Sequence, residues 1–179
     1  MYDKAPLELE WWENHYKELG HNKFVEKRAD EYKMFISHLP GLENETGIGV
    51  DYGNGLISVF ERDIIKVDPL NEEYGKIIQQ NGDYRTSTSG IDDNSVDYIV
   101  CVNVIDHTPD SNEMVKDICR MLKPGGRLYF GVNFDDSLSK IHYELWNEER
   151  VSFPLTLIHK EEERVSEYNQ TKFWAIYIK

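Results

Sequence analysis

The sequence has no apolar run approaching the roughly 20 residues that a membrane-spanning helix needs, so no membrane segment is expected. It has only two cysteines, Cys101 and Cys119, both inside apolar segments. Two isolated thiols make neither a disulfide framework nor a zinc site, and they read as buried core residues. No metal centre is expected. Linkers rich in proline, glycine or serine are missing, and so are internal repeats. Residues 1–179 therefore read as one domain. Positive charge is scarce: 20 Lys and Arg stand against 33 Asp and Glu, a formal net charge of −13. Such a field repels phosphate backbones and argues against a nucleic-acid substrate, while it suits a cationic ligand. The opening Met1-Tyr2-Asp3-Lys4 lacks the basic-then-apolar pattern of a signal peptide, so a cytoplasmic location is expected.

What the chain does have is an orderly alternation of helical and strand patterns. Leu9, Trp12, Tyr16 and Leu19 follow helical spacing over about Leu7–Leu19, with Gly20 as a stop. Val25, Ala29, Tyr32, Ile36 and Leu39 predict a second helix over about Lys23–Leu39, ended by Pro40-Gly41. This helical pair, residues 1–45, forms an extension or lid, for which Trp11 is the best-placed side chain because it falls off the packing stripe. Strands are expected at about Gly47–Asp51, Ile64–Val67 and near Tyr84. A brief helix should run from Gly55 to about Glu61, and another over Glu72–Gln80.

Val96 to Val102 is almost continuously apolar, as a central parallel strand covered on both faces must be. Asp110 and Glu113 have capping-box spacing ahead of the stripe Met114, Val115, Ile118, Met121 and Leu122. Lys123-Pro124-Gly125-Gly126 ends that helix, and Arg127–Val132 is the next strand. Strand, helix, strand implies a right-handed crossover and a parallel pair. Residues 46–135 thus form a core. Residues 136–179 add a helix over Leu138–Glu149 and a hairpin of Val151–His159 with Lys172–Ile178, turning near Tyr168-Asn169. The acidic run Glu161-Glu162-Glu163 reads as a solvated turn. The fold class is a three-layer, doubly wound α/β fold.

Ligands of open α/β sheets bind outside the carboxyl ends of the strands. Four polar features fall at such ends: Asp51-Tyr52-Gly53-Asn54-Gly55, Asp68-Pro69, Asn103 to His107, and Asn133 to Asp136. Gly53 and Gly55 let the backbone turn and approach a ligand. The dinucleotide fingerprint G-x-G-x-x-G fails, because its third glycine is Ser58. A nicotinamide-dependent oxidoreductase is therefore disfavoured.

Val50-Asp51-Tyr52-Gly53-Asn54-Gly55, the stretch Asp93 to Val100, Asn103-Val104-Ile105-Asp106-His107, and Arg120 to Leu128 together resemble the ordered motifs of class I S-adenosylmethionine-dependent methyltransferases. The resemblance covers about Gly47–Asn133 and is most specific over Asp93–Asn133. It implies a mostly parallel seven-stranded sheet of order 3-2-1-4-5-7-6 with the last strand antiparallel. It also implies S-adenosylmethionine as cofactor and S-adenosylhomocysteine as product. Asp51, Tyr52, Gly53, Asn54 and Gly55 would surround the methionine part, and Asp68 with Pro69 would hold the ribose. Asn103, Val104 and His107 would line the floor near the sulfonium. Asp83 is the nearest acid for the adenine, although the segment Asp83–Ile91 departs from the family pattern.

His107 and His142 are the candidate general bases, each set against a plainer role as a loop or surface histidine. Methyl transfer from a sulfonium needs positioning more than acid–base chemistry, so the missing triad is no objection. The expected function is methyl transfer to a small-molecule or sugar-like acceptor. The alternative is a non-catalytic donor-binding module acting with a partner protein. A homodimer is left open.

Overall fold

The computed structural model describes residues 3–60, 62–135, 140–166 and 170–179. Its strands form one seven-stranded sheet of order β3-β2-β1-β4-β5-β7-β6. β1 (Gly49–Tyr52), β2 (Ile65–Val67), β3 (Tyr84–Arg85), β4 (Val96–Val102) and β5 (Leu122–Asp135) run parallel. β7 (Gln170–Ile178) is antiparallel to β5 and to β6 (Thr156–Val165). The resemblance-based order and the antiparallel final strand are both found.

Two helices open the chain, α1 (Ala5–Leu19) and α2 (His21–His38). α3 (Asn71–Ile77) follows β2, and α4 (Ser111–Met121) joins β4 to β5. The Asp110 side chain accepts the Glu113 N–H at 2.9 Å, so the cap read from the sequence starts α4. Met114, Ile118 and Met121 of α4 then pack on Ile99, Cys101, Leu128 and Phe130, one face of the sheet. On the other face, Phe35, Leu39 and Phe60 cover Tyr98, Val100, Tyr129 and Trp174. Burial on both faces is why β4 carries no polar alternation. A third cluster seats Ala5 of α1, Phe24 of α2 and Tyr74 of α3 around Leu56 and Leu70.

Five expectations need correction. No helix follows Gly55 among the described residues. The backbone there is satisfied from outside instead. The Ser58 hydroxyl accepts the Phe60 N–H, Arg28 donates to the Ile57 and Asn54 carbonyls, and Gln80 donates to that of Leu56. Leu138–Glu149 is not a helix over its described part, which holds only a 3-10 turn at Glu148–Arg150; residues 138 and 139 lie outside the described residues. The Tyr143 N–H is drawn away to the Asp106 carbonyl, which competes with helical pairing. β6 begins five residues later than expected, at Thr156, and Glu161-Glu162-Glu163 lie within it rather than in a turn. The expected turn at Tyr168-Asn169 lies outside the described residues, as does Glu61. Finally, Val25 is exposed; α2 buries Phe24 and Phe35 instead, because Trp12 and Tyr16 of α1 meet Phe24 edge-on. No helix among the described residues is long and apolar enough to cross a membrane.

Candidate functional site

A cavity of about 400 Å³ opens at the carboxyl ends of β1, β2, β4 and β5. That volume lies in the usual range for small-molecule sites. It is lined by Asp51, Gly53, Gly55, Asp68, Asn103 and Val104. Met34, Phe35, Asn133, Lys172 and Trp174 line it too, with His107 and His142 also on the wall. Trp11 and Trp12 of α1 line it as well, and Trp11 is half exposed, as a lid residue would be. α1 is pinned there by Lys4, whose ammonium donates to the His142 carbonyl at 2.5 Å.

The glycine loop is held by two buried acids. The Asp51 carboxylate accepts from Ser58 Oγ at 2.6 Å. Asp68 accepts the Leu70 N–H at 2.9 Å and the Gly55 N–H at 3.2 Å, one on each oxygen. Burial pushes Asp51 up to about 6, against the Ser58 hydrogen bond and the positive charges of Arg28 and Lys66. Burial, with the negative charge of Glu8, pushes Asp68 up to about 7, against its two backbone donors. Both acids therefore sit near the point of ionisation at neutral pH. Gly53 has φ +81° and Gly55 φ +62°, values open to glycine. Asn103 also has positive φ, +54°, and asparagine is among the few other residues that tolerate it. A positive-φ residue at a strand end in a cavity wall is a mark of a functional turn.

After β4 the chain makes a 3-10 turn, Ile105–His107, that turns Asp106 inward, 3% exposed, and leaves His107 on the cavity wall. The Tyr143 N–H donates to the Asp106 carbonyl at 2.7 Å and so draws the segment after β5 alongside. His142 Nε2 then lies 3.5 Å from Asp106 Oδ2, and His107 Nε2 lies 4.0 Å from the same oxygen. The two imidazoles meet edge to face, with centroids 4.6 Å apart. On the other side, Glu8 Oε2 is 4.0 Å from His107 Nδ1, and Tyr74 donates to Glu8 Oε1 at 3.1 Å.

Most of the remaining sequence candidates fall elsewhere. Tyr52 turns to the opposite face, where its hydroxyl donates to Asp117 of α4 at 3.4 Å. Asn54 is buried and holds the loop through Asn71. Pro69 is exposed and does not line the cavity. Asp83 precedes β3, so it sits at the amino edge, in a groove with Gly47, Ile48 and Asp63. Arg85 hydrogen-bonds both its oxygens and holds its carboxyl below the usual range. Of the fourth polar feature, Asn133 lines the cavity and residue 136 lies outside the described residues.

Sequence reasoning missed Arg28, Glu8, Lys172 and Trp174. Arg28 lies over the Trp12 ring at 5.5 Å, pairs with Glu31 and places a cation on the cavity wall. The Lys172 ammonium meets Met34 Sδ at 3.6 Å and, among the described residues, no carboxylate within ion-pair distance. Trp174 is buried, and its indole N–H has no acceptor among the described residues. Alternation along β7 puts Lys172 and Trp174 on one face, beside Asn133, the β5 partner of Lys172. That pairing is visible only once the hairpin register is known.

A family model described as a methyltransferase domain matches residues 35–130, more than half of the chain. The ubiquinone biosynthesis O-methyltransferase of Coxiella burnetii is 33% identical over 82 residues, 46% of this chain and 32% of that protein. The chain thus aligns with about a third of the length of the curated relatives it matches. Among solved structures, the N-methyltransferase NodS from Bradyrhizobium japonicum, in complex with S-adenosyl-L-homocysteine, has a TM-score of 0.58 at 16% identity, covering 83% of this chain and 86% of that one. The [4+2]-cyclase SpnF has a TM-score of 0.63 at 10% identity, covering 84% and 80%. These structural likenesses are of fold.

Proposed function

The chain belongs to the methyltransferase-domain family, and on that premise we propose that it transfers the methyl group of S-adenosylmethionine to a small-molecule acceptor. One observation carries the reading: two buried carboxylates and two positive-φ glycines converge with Asn103 in one cavity at the carboxyl edge of the sheet. Those groups fit the donor. Asp68 accepts from the ribose hydroxyls with the lone pairs its backbone donors leave free. Asp51 and the acidic wall favour the ammonium and the sulfonium. With no helix after Gly55 among the described residues, Arg28 is the group that faces the donor's carboxylate. The sulfonium supplies a methyl group already activated for in-line displacement. The protein's part is to hold both reactants and exclude water, which α1 and the segment around His142 do by covering the cavity. His107 and His142 stand where a protonated nucleophile would deliver its proton.

Titration calorimetry is expected to show binding of S-adenosylmethionine and S-adenosylhomocysteine and none of NADH. Binding of neither sulfur nucleoside would overturn the reading. Donor affinity with no turnover against a panel of metabolites would leave a binding module instead.

Beyond the groups given to the donor, the cavity lining carries Lys172, Asn133 and Trp174 with apolar Met34 and Phe35. This set supports an apolar acceptor bearing an anionic oxygen group. Lys172→Met is expected to lower kcat/KM for carboxylated or phosphorylated members of an acceptor panel about tenfold, the worth of one charged hydrogen bond, with donor affinity unchanged. Equal activity of the variant on anionic acceptors would refute the assignment.

A further inference from the structure

We propose that Asp106, His107 and His142 form a binding site for a divalent transition-metal ion on the wall of the cavity. The cysteine count argued against a zinc–thiolate centre, but this set uses no thiol. Its ligands come from segments 35 residues apart, so no sequence spacing announces it.

The distances carry the inference. One potential ligand atom from each residue lies within 4.8 Å of the other two. His142 Nε2 and His107 Nε2 converge on a single oxygen of a buried carboxylate, at 3.5 Å and 4.0 Å. Both separations exceed a normal hydrogen bond. They are close to the spacing of donors around one ion. Metal–ligand bonds of about 2.0–2.2 Å place neighbouring donors about 3.0–3.6 Å apart in octahedral or tetrahedral geometry. To complete the shell, the His107–Asp106 separation must shorten by at least about 0.4 Å and that between the two imidazole nitrogens, which lies within 4.8 Å, by up to about 1 Å.

The surroundings agree. The backbone bond from Tyr143 to Asp106 fixes the two ligand segments against each other before any ion arrives. Glu8 lies beyond His107 on its Nδ1 side, where metal-bound histidines commonly have a carboxylate that sets tautomer and ring orientation. Two imidazoles and one carboxylate favour zinc, cobalt, iron(II) or manganese over magnesium and calcium. Because both histidines line the cavity, an ion there would be reached from it. An acceptor hydroxyl bound to the ion would release its proton to solvent water near neutral pH, as metal-bound water does, with the two histidines serving as ligands in place of proton acceptors. This last role rests on the methyl-transfer reading; the ion site does not.

The test uses the full chain, stripped with a chelator and titrated with Co(II), followed by visible absorption and by calorimetry. One equivalent is expected to bind, with the ligand-field bands of a low-coordinate Co(II) ion. His142→Gln and His107→Gln are each expected to weaken binding at least tenfold, and His142→Asp to retain more of it than His142→Gln. Thermal melts report whether each variant folds. His142 is on an irregular segment, so its two variants carry the test if His107→Gln melts early. Absence of stoichiometric binding in the parent protein overturns the proposal. Equal affinity in the His142 variants overturns it too, since the ion then sits elsewhere. S-adenosylhomocysteine titrated into the stripped protein reports on the methyl-transfer reading separately.

Discussion

Gly53→Ala is expected to abolish measurable donor binding and to lower the melting temperature by several degrees. A Cβ at Gly53 would lie 2.2 Å from Val104 Cγ2 and 2.4 Å from Cγ1, far inside contact distance. The residue also holds φ +81°, which costs an L-residue about 1–2 kcal/mol. Forcing the extra methyl into the packed site adds about 1–3 kcal/mol. Neither loop can yield easily. The Gly53 N–H is bonded to the Val67 carbonyl at 2.7 Å, and Val104 follows Asn103, itself at positive φ. Relief therefore comes by spreading β1 from β4 at the cavity floor. Val104→Ala placed alongside should recover part of the stability, since it removes the two γ-carbon clashes and leaves the 2.8 Å approach to the residue-104 Cβ and the dihedral strain. Calorimetry with S-adenosylhomocysteine and thermal melts of the two variants check both statements. Parent-like affinity in Gly53→Ala would show that the glycine serves only the turn.

The parts legible in the sequence are those whose cause is local or repeated. β4 could be read from seven residues because both its faces are buried, and α4 because Asp110 caps a single apolar stripe. The place of Asp51, Gly53, Asp68 and Asn103 in the cavity lining followed from strand ends and from the family resemblance. What could not be read depends on partners far along the chain. The helix expected after Gly55 is absent among the described residues because Arg28, Gln80 and Ser58 take its backbone groups. Asp83 was placed by proximity to a weak strand, and a two-residue strand leaves no pattern to show which end faces the ligand. β6 is an edge strand exposed along most of its length, so alternation carries no signal and its start was set five residues early. His142 was chosen for its position after β5, on an expected helix that is not there; what brings it to His107 is a backbone bond from the next residue.

Asp68→Asn should weaken donor binding by about 1–3 kcal/mol and flatten the dependence of stability on pH, and the two effects have one origin. Asp68 is pushed up to about 7 chiefly by burial, with the Glu8 charge adding to it, against an ordinary value of 3.8 in an unfolded chain. Between those values the folded protein holds a proton that the unfolded chain has released. Stability from this group is thus greatest at low pH and falls as pH rises, until Asp68 is ionised above about 7. The difference of about three units corresponds to a loss on the order of 4 kcal/mol across that window. Asp51, raised to about 6, acts in the same direction. Asp83 and Asp97, both lowered, act in the opposite direction but only below about 3.8. The donor-free protein is therefore expected to melt at a lower temperature at pH 8 than at pH 5.5. Donor affinity should run the other way, rising toward pH 8 as Asp68 gains the charge that draws in the ribose hydroxyls. Asparagine removes the titration. It also turns an amide NH₂ toward either the Gly55 or the Leu70 N–H, so some stability is lost at every pH. The slope, and not the absolute melting temperature, is the informative quantity. A slope between pH 5.5 and 8 unchanged in Asp68→Asn would mean that this carboxylate is ionised throughout. Retained donor affinity in the variant would mean that the ribose lies elsewhere. If both outcomes are as expected, the instability of a buried charge in the empty cavity is what the donor's hydroxyls relieve on binding.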